Sequence, residues 1–391
     1  MEKPQAGAKA ASKGAPAAQG AAKSAPKAKP TKKGETGIQK SQLREAMLCS
    51  NPKNLPEGKA VRCNLCAHHC LIPKGQAGLC LVRKNINGKV YSLNWGKAAG
   101  ISIDPIEKKP FFHFKPGSKA LSFGTPGCNF RCLNCQNWDL SQGVRNRGDS
   151  ILQMLPTATP AQIAKLAKRQ SADAIAYTYS EPTIFFEYAY DTISECRKLS
   201  LGIPHLFVSN GYFTKEAFEL IQKENLLQAI RIDLKFMDEP HYKKICGANL
   251  KPVLNSIERV HNSKIHLELI NLVIPQENDS DDDFEKLCQF VSSLSPDIPL
   301  HFSRFFPLYK MENKAQTPIK TLQNARKIAK DCGLNYVYIG NTNLQDAENT
   351  YCPECNLLLI KRNRFLIEKN VFEKSKKPNC PNCGKKINII L

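Results

Sequence analysis

Long apolar runs are missing from this 391-residue chain. No stretch of 18 apolar residues occurs, which excludes a membrane-spanning helix. No export leader is recognisable, so a cytoplasmic location is expected. Acidic side chains are also scarce: 35 Asp and Glu stand against 56 Lys and Arg, a net charge of +21. Much of that excess is terminal. Residues 1–40 carry nine lysines and two glutamates, or +7, and residues 352–391 carry nine Lys and Arg and three Glu, or +6. A basic tail can touch nucleic acid or acidic surfaces, but the plainer reading is a solvated tail. Residues 1–37 almost lack large apolar side chains. They cannot bury a core, and 1–40 is expected to be a disordered Lys/Ala/Pro-rich tail.

Cysteine, by contrast, is plentiful at 16 residues, most of them in three groups. In a soluble, unexported chain, clustered thiols read as metal ligands in a reducing compartment and not as disulfides. The central group is Cys128-Asn129-Phe130-Arg131-Cys132-Leu133-Asn134-Cys135, behind Gly124 and Gly127 and the apolar run Ala120-Leu121-Ser122-Phe123. Three thiolates on one tight loop can hold three corners of a [4Fe–4S] cluster. No fourth cysteine follows at short range, so one iron stays open, as a catalytic metal site requires. The alternative is a zinc knuckle, which usually pairs two C-x2-C units where this segment has one.

Two further groups flank it. Cys63, Cys66, Cys70 and Cys80, with His68 and His69 among them, offer four soft donors within 18 residues. They suit zinc or another iron–sulfur centre, the alternative being buried structural thiols. Cys352-Pro353-Glu354-Cys355 and Cys380-Pro381-Asn382-Cys383-Gly384 form two knuckles 24 residues apart. Gly384 accepts the left-handed conformation that such a turn needs, and Asn356, in the matching place, tolerates it. A structural zinc ribbon or a rubredoxin-like iron site over 346–391 is expected.

Between these groups the chain alternates. Residues 41–118 form a Cys-rich region with extended or hairpin structure around Lys89–Leu93 and Gly100–Asp104. From 119 to 345, strands are predicted at 120–124, 173–179, 205–210, 229–234, 265–274, 299–304 and 335–339. Helices are predicted near 160–170, 183–200, 214–225, 251–263, 281–294 and 318–332. Thr159-Pro160 and Thr317-Pro318 read as helix starts. Repeated βα units imply an α/β fold with a parallel sheet, here too short to close: a partial (β/α)6 barrel with its chemistry at the carboxyl ends of the strands. Four successive strand ends meet that rule, at the Cys128 loop, Thr178–Pro182, Ser209–Gly211 and Asp233–Lys235. Glu181 is the leading acid there, either a ligand-binding carboxylate or a helix N-terminal cap. Asn210, Asp233 and Lys235 have comparable alternatives as caps or surface groups. His113 reads as a packed or substrate-facing aromatic.

The C-x3-C-x2-C loop resembles the radical S-adenosylmethionine (SAM) superfamily, in particular enzymes related to the pyruvate formate-lyase activating enzyme. Within these the chain is similar to the AmmeMemoRadiSam-system radical SAM enzymes. The matching stretches are Cys63–Cys70, Asp104–Pro110 leading to His113–Gly117, Gly127–Trp138, Thr178–Pro182, Ser209–Tyr212, Asp233–Phe236, Ile274-Pro275, Phe305–Tyr309, Tyr338–Asn341 and the paired knuckles. The resemblance implies that SAM completes a [4Fe–4S] cluster on Cys128, Cys132 and Cys135, and is cleaved reductively to a 5′-deoxyadenosyl radical. It implies SAM contacts at Glu181 and Ser180, with Thr183 nearby, and at Asn210, Asp233 and Lys235. It also implies an electron donor such as flavodoxin or ferredoxin, and Memo-like and Ammecr-like partner proteins. The sequence departs from the pattern at Asn134, where an aromatic residue is usual, which shifts adenine packing to Phe130 or Trp138, and at Ser180, where Asn or Gly is common. Three functions are weighed: hydrogen abstraction in a partner-dependent pathway, activation of a glycyl-radical enzyme, and metal-stabilised nucleic-acid binding. The last needs no polar strand ends in four successive βα units.

Overall fold

A computed structural model describes residues 43–52, 56, 59–375 and 377–391. The tail at 1–40 lies outside the described residues. An eight-stranded sheet organises the rest, with strands β1 (Ala99–Pro105), β2 (Lys119–Gly124), β3 (Ala174–Tyr177), β4 (His205–Ser209), β5 (Ala229–Asp233), β6 (His266–Val273), β7 (Leu300–Arg304) and β8 (Val337–Gly340) in sequential order. β2 to β8 are parallel. β1 runs antiparallel to β2, so the extended segment around 100–104 belongs to the main sheet.

The strands are apolar on both faces because both are covered. On one face Leu121, Phe123, Ile175, Phe207, Ile230 and Ile232 pack in the core shared with the helices. On the other, the small side chains Ala120, Ala174, Ala176 and Ala229 leave room for Ile106, Phe111 and Phe114. Those three come from the loop between β1 and β2 and fill the amino end of the sheet.

The helices lie where their apolar spacing predicts them, at Pro160–Arg169, Phe186–Lys198, Lys215–Lys223, Leu250–His261, Asp281–Leu294 and Ile319–Asp331. Thr159 caps its helix through a reciprocal pair of bonds with Gln162, as its sequence predicts. Thr317 does otherwise: its hydroxyl accepts from Phe305 N at 2.8 Å and donates to Val273 O at 2.6 Å, joining the ends of β6 and β7, while Pro318 takes the cap position. Among the described residues, no helix is long and apolar enough to cross a membrane.

At the amino end of the sheet, buried Glu268 accepts from His301 Nε2 at 2.8 Å, His266 Nε2 at 3.1 Å, Phe112 N at 3.0 Å and His113 N at 2.8 Å. His113 is fully buried and bonds Asn388 O at 2.6 Å and the Tyr338 hydroxyl at 2.6 Å. It is thus a packed residue. Beyond it the three strands Thr350–Tyr351, Leu358–Asn363 and Leu366–Asn370 form the C-terminal module. Arg362 ties this module to the floor by donating to Phe112 O at 2.8 Å.

Candidate functional site

The opposite, carboxyl end of the sheet carries a cavity of about 390 Å³. Cys128, Cys132 and Cys135 line it together with Ser180, Glu181, Asn210, Asp233 and Lys235, so the strand ends singled out from the sequence converge on one space. The Cys128 loop is seated by glycine. Gly127 has φ +99°, and a Cβ there would stand 2.7 Å from Val82 Cγ1 and 3.2 Å from Cys80 O. Loop backbone is further pinned by Arg131 N to Cys246 O at 2.8 Å and Leu133 N to Ile245 O at 3.0 Å. Those acceptors sit in a π-helical turn, Tyr242–Cys246, a geometry often found at functional sites.

Each sulfur has a donor close by. Cys128 Sγ accepts from Phe130 N at 3.4 Å, and Cys135 Sγ meets Ser141 Oγ at 3.1 Å. The neighbouring thiol of Cys246 lowers the pKa of Cys132 against the opposing effect of burial. Burial pushes the Cys128 and Cys135 thiols up, so their thiolates need a cation beside them. Two buried polar atoms of the loop, Asn129 Nδ2 and Asn134 Oδ1, have no hydrogen-bond partner. Buried donors and acceptors are normally paired, so these await a group the polypeptide does not supply. With three sulfurs on one side of a polar cavity, the residues fit an iron–sulfur cluster with an adjoining polar ligand.

The polar residues divide by what they already hold. Glu181 Oε1 accepts from Thr183 N at 3.0 Å, Thr183 Oγ1 at 2.6 Å and Ser209 Oγ at 2.8 Å, and Oε2 accepts from Asn210 N at 2.7 Å. It caps the short helix Pro182–Phe185 and also lines the cavity. Burial raises its pKa against these four donors. The Asn210 amide donates to Asn129 Oδ1 at 2.8 Å and so braces the cysteine loop. Asp233 sits between Arg231 at 2.6 Å and Lys235 at 2.8 Å. Burial opposes its charge, but those cations hold it below the ordinary carboxylate range. Burial likewise opposes the Lys235 charge, and Asp233 with the thiols of Cys132 and Cys246 holds it above the usual lysine range.

Several cavity residues were not singled out from the sequence. Lys108 and Lys109 bond Asp104 at 2.7 and 2.8 Å, and Lys109 also reaches the Tyr179 hydroxyl at 3.1 Å. Tyr179 itself holds φ 65°, a strained backbone for a non-glycine residue at the cavity wall. Arg231 was visible only as a charge inside an apolar strand. Cys246 lies more than a hundred residues from the loop and has no local signal. Of the aromatics considered for packing a ligand, Phe130 lines the cavity, while Trp138 stacks on Tyr309 at 5.2 Å.

The other cysteine groups differ in form. Cys352, Cys355, Cys380 and Cys383 place all four sulfurs within 4.8 Å of one another, the one such donor group among the described residues. The knuckles mirror each other: Asn356 at φ 57° bonds Cys352 O at 2.9 Å, and Gly384 at φ 77° bonds Cys380 O at 2.9 Å. Cys63, Cys66, Cys70 and Cys80 instead line a second, small cavity.

Comparison with known proteins places this chain in a class. The radical SAM superfamily description matches residues 123–291. An uncharacterized protein of Methanocaldococcus jannaschii is 42% identical over 353 residues, covering 89% of this chain and all of its own length. The pyruvate formate-lyase-activating enzyme of Clostridium pasteurianum is 21% identical over 182 residues, or 46% of this chain and 71% of that one. Its counterpart in Staphylococcus aureus is 25% identical over 190 residues, with the same two shares. The chain belongs to the radical SAM superfamily, with homology to pyruvate formate-lyase-activating enzymes.

Proposed function

We propose that this protein is a radical SAM enzyme, a partial (β/α)6 barrel in which Cys128, Cys132 and Cys135 hold a [4Fe–4S] cluster. The observation that carries the reading is the convergence of three cysteines and five polar strand-end residues on one cavity. When bound, cluster and SAM supply reductive cleavage to a 5′-deoxyadenosyl radical, which abstracts hydrogen from substrate. The chain's own part is positional. Glu181 keeps room on Oε2 for an ammonium group. Lys235 and Arg231, which share Asp233 and both line the cavity, leave a net positive charge for a carboxylate. Asn210 holds Asn129 and with it the loop. Lys108, Lys109 and Tyr179 line the cavity as a wall against which a substrate would rest, with Asp104 holding both lysines.

The chain's resemblance to AmmeMemoRadiSam-system enzymes supports a pathway with Memo-like and Ammecr-like proteins, and a cytoplasmic flavodoxin or ferredoxin as electron donor. A second reading, activation of a glycyl-radical enzyme, draws on the activating-enzyme relatives, which match less than half of the chain. Nucleic-acid binding by the basic termini ranks below both. The C-terminal quartet is proposed as a structural zinc site of ribbon or rubredoxin-like form, since zinc–sulfur bonds of about 2.3 Å need sulfurs this close.

The test is anaerobic reconstitution, reduction, addition of SAM and measurement of 5′-deoxyadenosine, with Cys132→Ala as control. Formation by the wild type and its loss in the variant are expected. A wild-type protein holding the full cluster but releasing no 5′-deoxyadenosine would overturn the reading. A stable glycyl radical on a partner protein would select the second.

A further inference from the structure

The N-terminal cysteines lie outside the site described above, and their surroundings are built. Strands Ala60–Cys63 and Leu71–Pro73 form a hairpin closed by Cys63 N to Cys70 O at 2.9 Å. Its tip is fixed to the loop after β4 by Ala67 N to Tyr212 O at 2.9 Å and Thr214 Oγ1 to Asn64 O at 2.7 Å. The chain then returns through Gly78, where a Cβ would stand 3.5 Å from Cys70 Sγ, and brings in Cys80. Leu65, Ile72 and Ile184 supply apolar wall to the cavity that results.

Three observations bear on what fills it. First, the sulfur of Cys70 accepts a backbone N–H, that of Leu79, at 3.5 Å. Cys128 likewise accepts a backbone N–H, that of Phe130, at 3.4 Å. A neutral packed thiol needs no such donor, whereas metal-bound sulfur is normally oriented by one. Second, Arg83 lines the cavity at 2% exposure, and its Nε has no hydrogen-bond partner, although its Nη1 is paired with Glu187 at 2.8 Å. A buried donor left over beside four sulfurs suits a sulfide acceptor. Third, the sulfurs ring a space and do not converge. No three of them share the 4.8 Å spacing that the C-terminal quartet meets. The Cys128 trio, within the span that matches the radical SAM superfamily, is open in the same way. A single zinc ion draws its ligands together; a cubane of iron and sulfide holds them apart.

We infer that Cys63, Cys66, Cys70 and Cys80 hold a second [4Fe–4S] cluster, fully ligated by protein and packed against the Cys128 loop. Cys49 is the fifth thiol nearby. It pairs with Cys63 across the strands and does not line the cavity, so it is not a ligand. The contact with the loop is direct: His68 Nε2 lies 2.9 Å from Asn129 O, and Gly127 abuts Cys80 O. With four cysteines on four irons, no iron is left for SAM, so the inference does not depend on the function proposed for Cys128.

The full chain, reconstituted anaerobically with iron and sulfide, is expected to carry about eight acid-labile sulfides, because neither zinc nor a rubredoxin-like iron contributes any. The triple variant Cys128→Ala/Cys132→Ala/Cys135→Ala keeps about four sulfides and about four irons, and its reduced electron paramagnetic resonance signal is unchanged by SAM. The double variant Cys66→Ala/Cys70→Ala loses the other half and keeps the SAM-responsive signal, whereas Cys49→Ser loses none. A triple variant without sulfide, or with a second zinc in its place, overturns the inference. So does a double variant with undiminished sulfide, which decides the matter if the triple variant fails to fold. A wild type with about four sulfides, all responsive to SAM, would reject this cluster and leave the radical SAM reading intact; about eight sulfides with no response to SAM would do the reverse.

Discussion

Cys352, Cys355, Cys380 and Cys383 crowd four sulfurs within 4.8 Å, and their module leans on the amino end of the sheet. Cys63, Cys66, Cys70 and Cys80 ring a cavity, and their hairpin leans on the loop at the carboxyl end. In a sheet of parallel strands the carboxyl end does the chemistry and the other end holds the fold together. The two quartets therefore have different consequences. Disturbing the first should cost stability with little direct effect on the cavity. Disturbing the second should reach the reaction through the Cys128 loop.

The largest expected effect is metal removal at the C-terminal quartet. Structural zinc in small modules contributes on the order of 10 kcal/mol to folding. The core of the C-terminal module, around Phe112, Tyr336, Tyr338, Leu359 and Ile360, includes residues of the main sheet and its connections, so its loss should propagate. Cys380→Ala, or a strong chelator, is expected to lower the melting temperature sharply and open 346–391 to protease, with sulfide content of the folded fraction unchanged. A melting curve indifferent to zinc would remove the structural half of the comparison.

Next comes Glu268, which joins floor and module through His113 and Asn388. Glu268→Ala leaves two buried histidines and two backbone N–H groups without their acceptor, at a cost of about 3–5 kcal/mol in urea unfolding. Its pH dependence has a definite sign. Burial opposes the Glu268 charge, yet His266 and His301 hold its pKa well below the usual range. Its stabilisation is full above the unfolded value of about 4.3 and is lost as pH falls below it. His113, pushed down to about 3 by burial, acts in the same direction: unfolding takes up its proton below about pH 6.5. The urea midpoint should therefore fall on acidification from about pH 6.5, and more steeply below about pH 4.5. Glu268→Gln should flatten the lower limb. An unchanged lower limb would show that the carboxylate is not ionised in the fold.

How much of this was legible in the sequence follows from distance along the chain. The Cys128 loop declared itself because its three sulfurs lie within eight residues, and the helices and strands because their periodicity is local. The strand-end residues needed one added rule, that parallel strands deliver their carboxyl ends to one side. Cys246, whose carbonyl holds Arg131 of the loop from a π-helical turn, had no such route. Neither did the role of Asn210, whose amide holds Asn129 and whose sequence context reads only as a strand end. The openness of one quartet and the closeness of the other was also invisible, since C-x2-C spacing is common to both. It depends on where Cys80 and the second knuckle are carried by intervening turns.

Asn210→Ala tests the carboxyl end from inside the cavity. It removes one buried hydrogen bond to the loop and leaves Asn129 Oδ1 without that donor, a loss of about 1.5 kcal/mol, or roughly tenfold in SAM affinity. Both sulfide sets and the melting temperature should stay close to wild type. An affinity unchanged by the substitution would mean that the loop keeps its form without this brace.

The smallest effect, and the sharpest for the comparison, belongs to His68. It sits within the N-terminal quartet, packs on Tyr212 at 4.8 Å between ring centres, and reaches Asn129 O with Nε2. Burial holds its pKa below the ordinary histidine value, so the ring stays neutral near pH 7 and donates one N–H to that carbonyl. His68→Phe keeps the ring contact and deletes the hydrogen bond, at about 1 kcal/mol. If the hairpin supports the reaction through this contact, 5′-deoxyadenosine formation should slow about fivefold while sulfide content and melting temperature hold, and His68→Gln should recover part of the rate. A fall in melting temperature without a fall in rate would assign His68 to stability, and the two quartets would then differ in geometry alone.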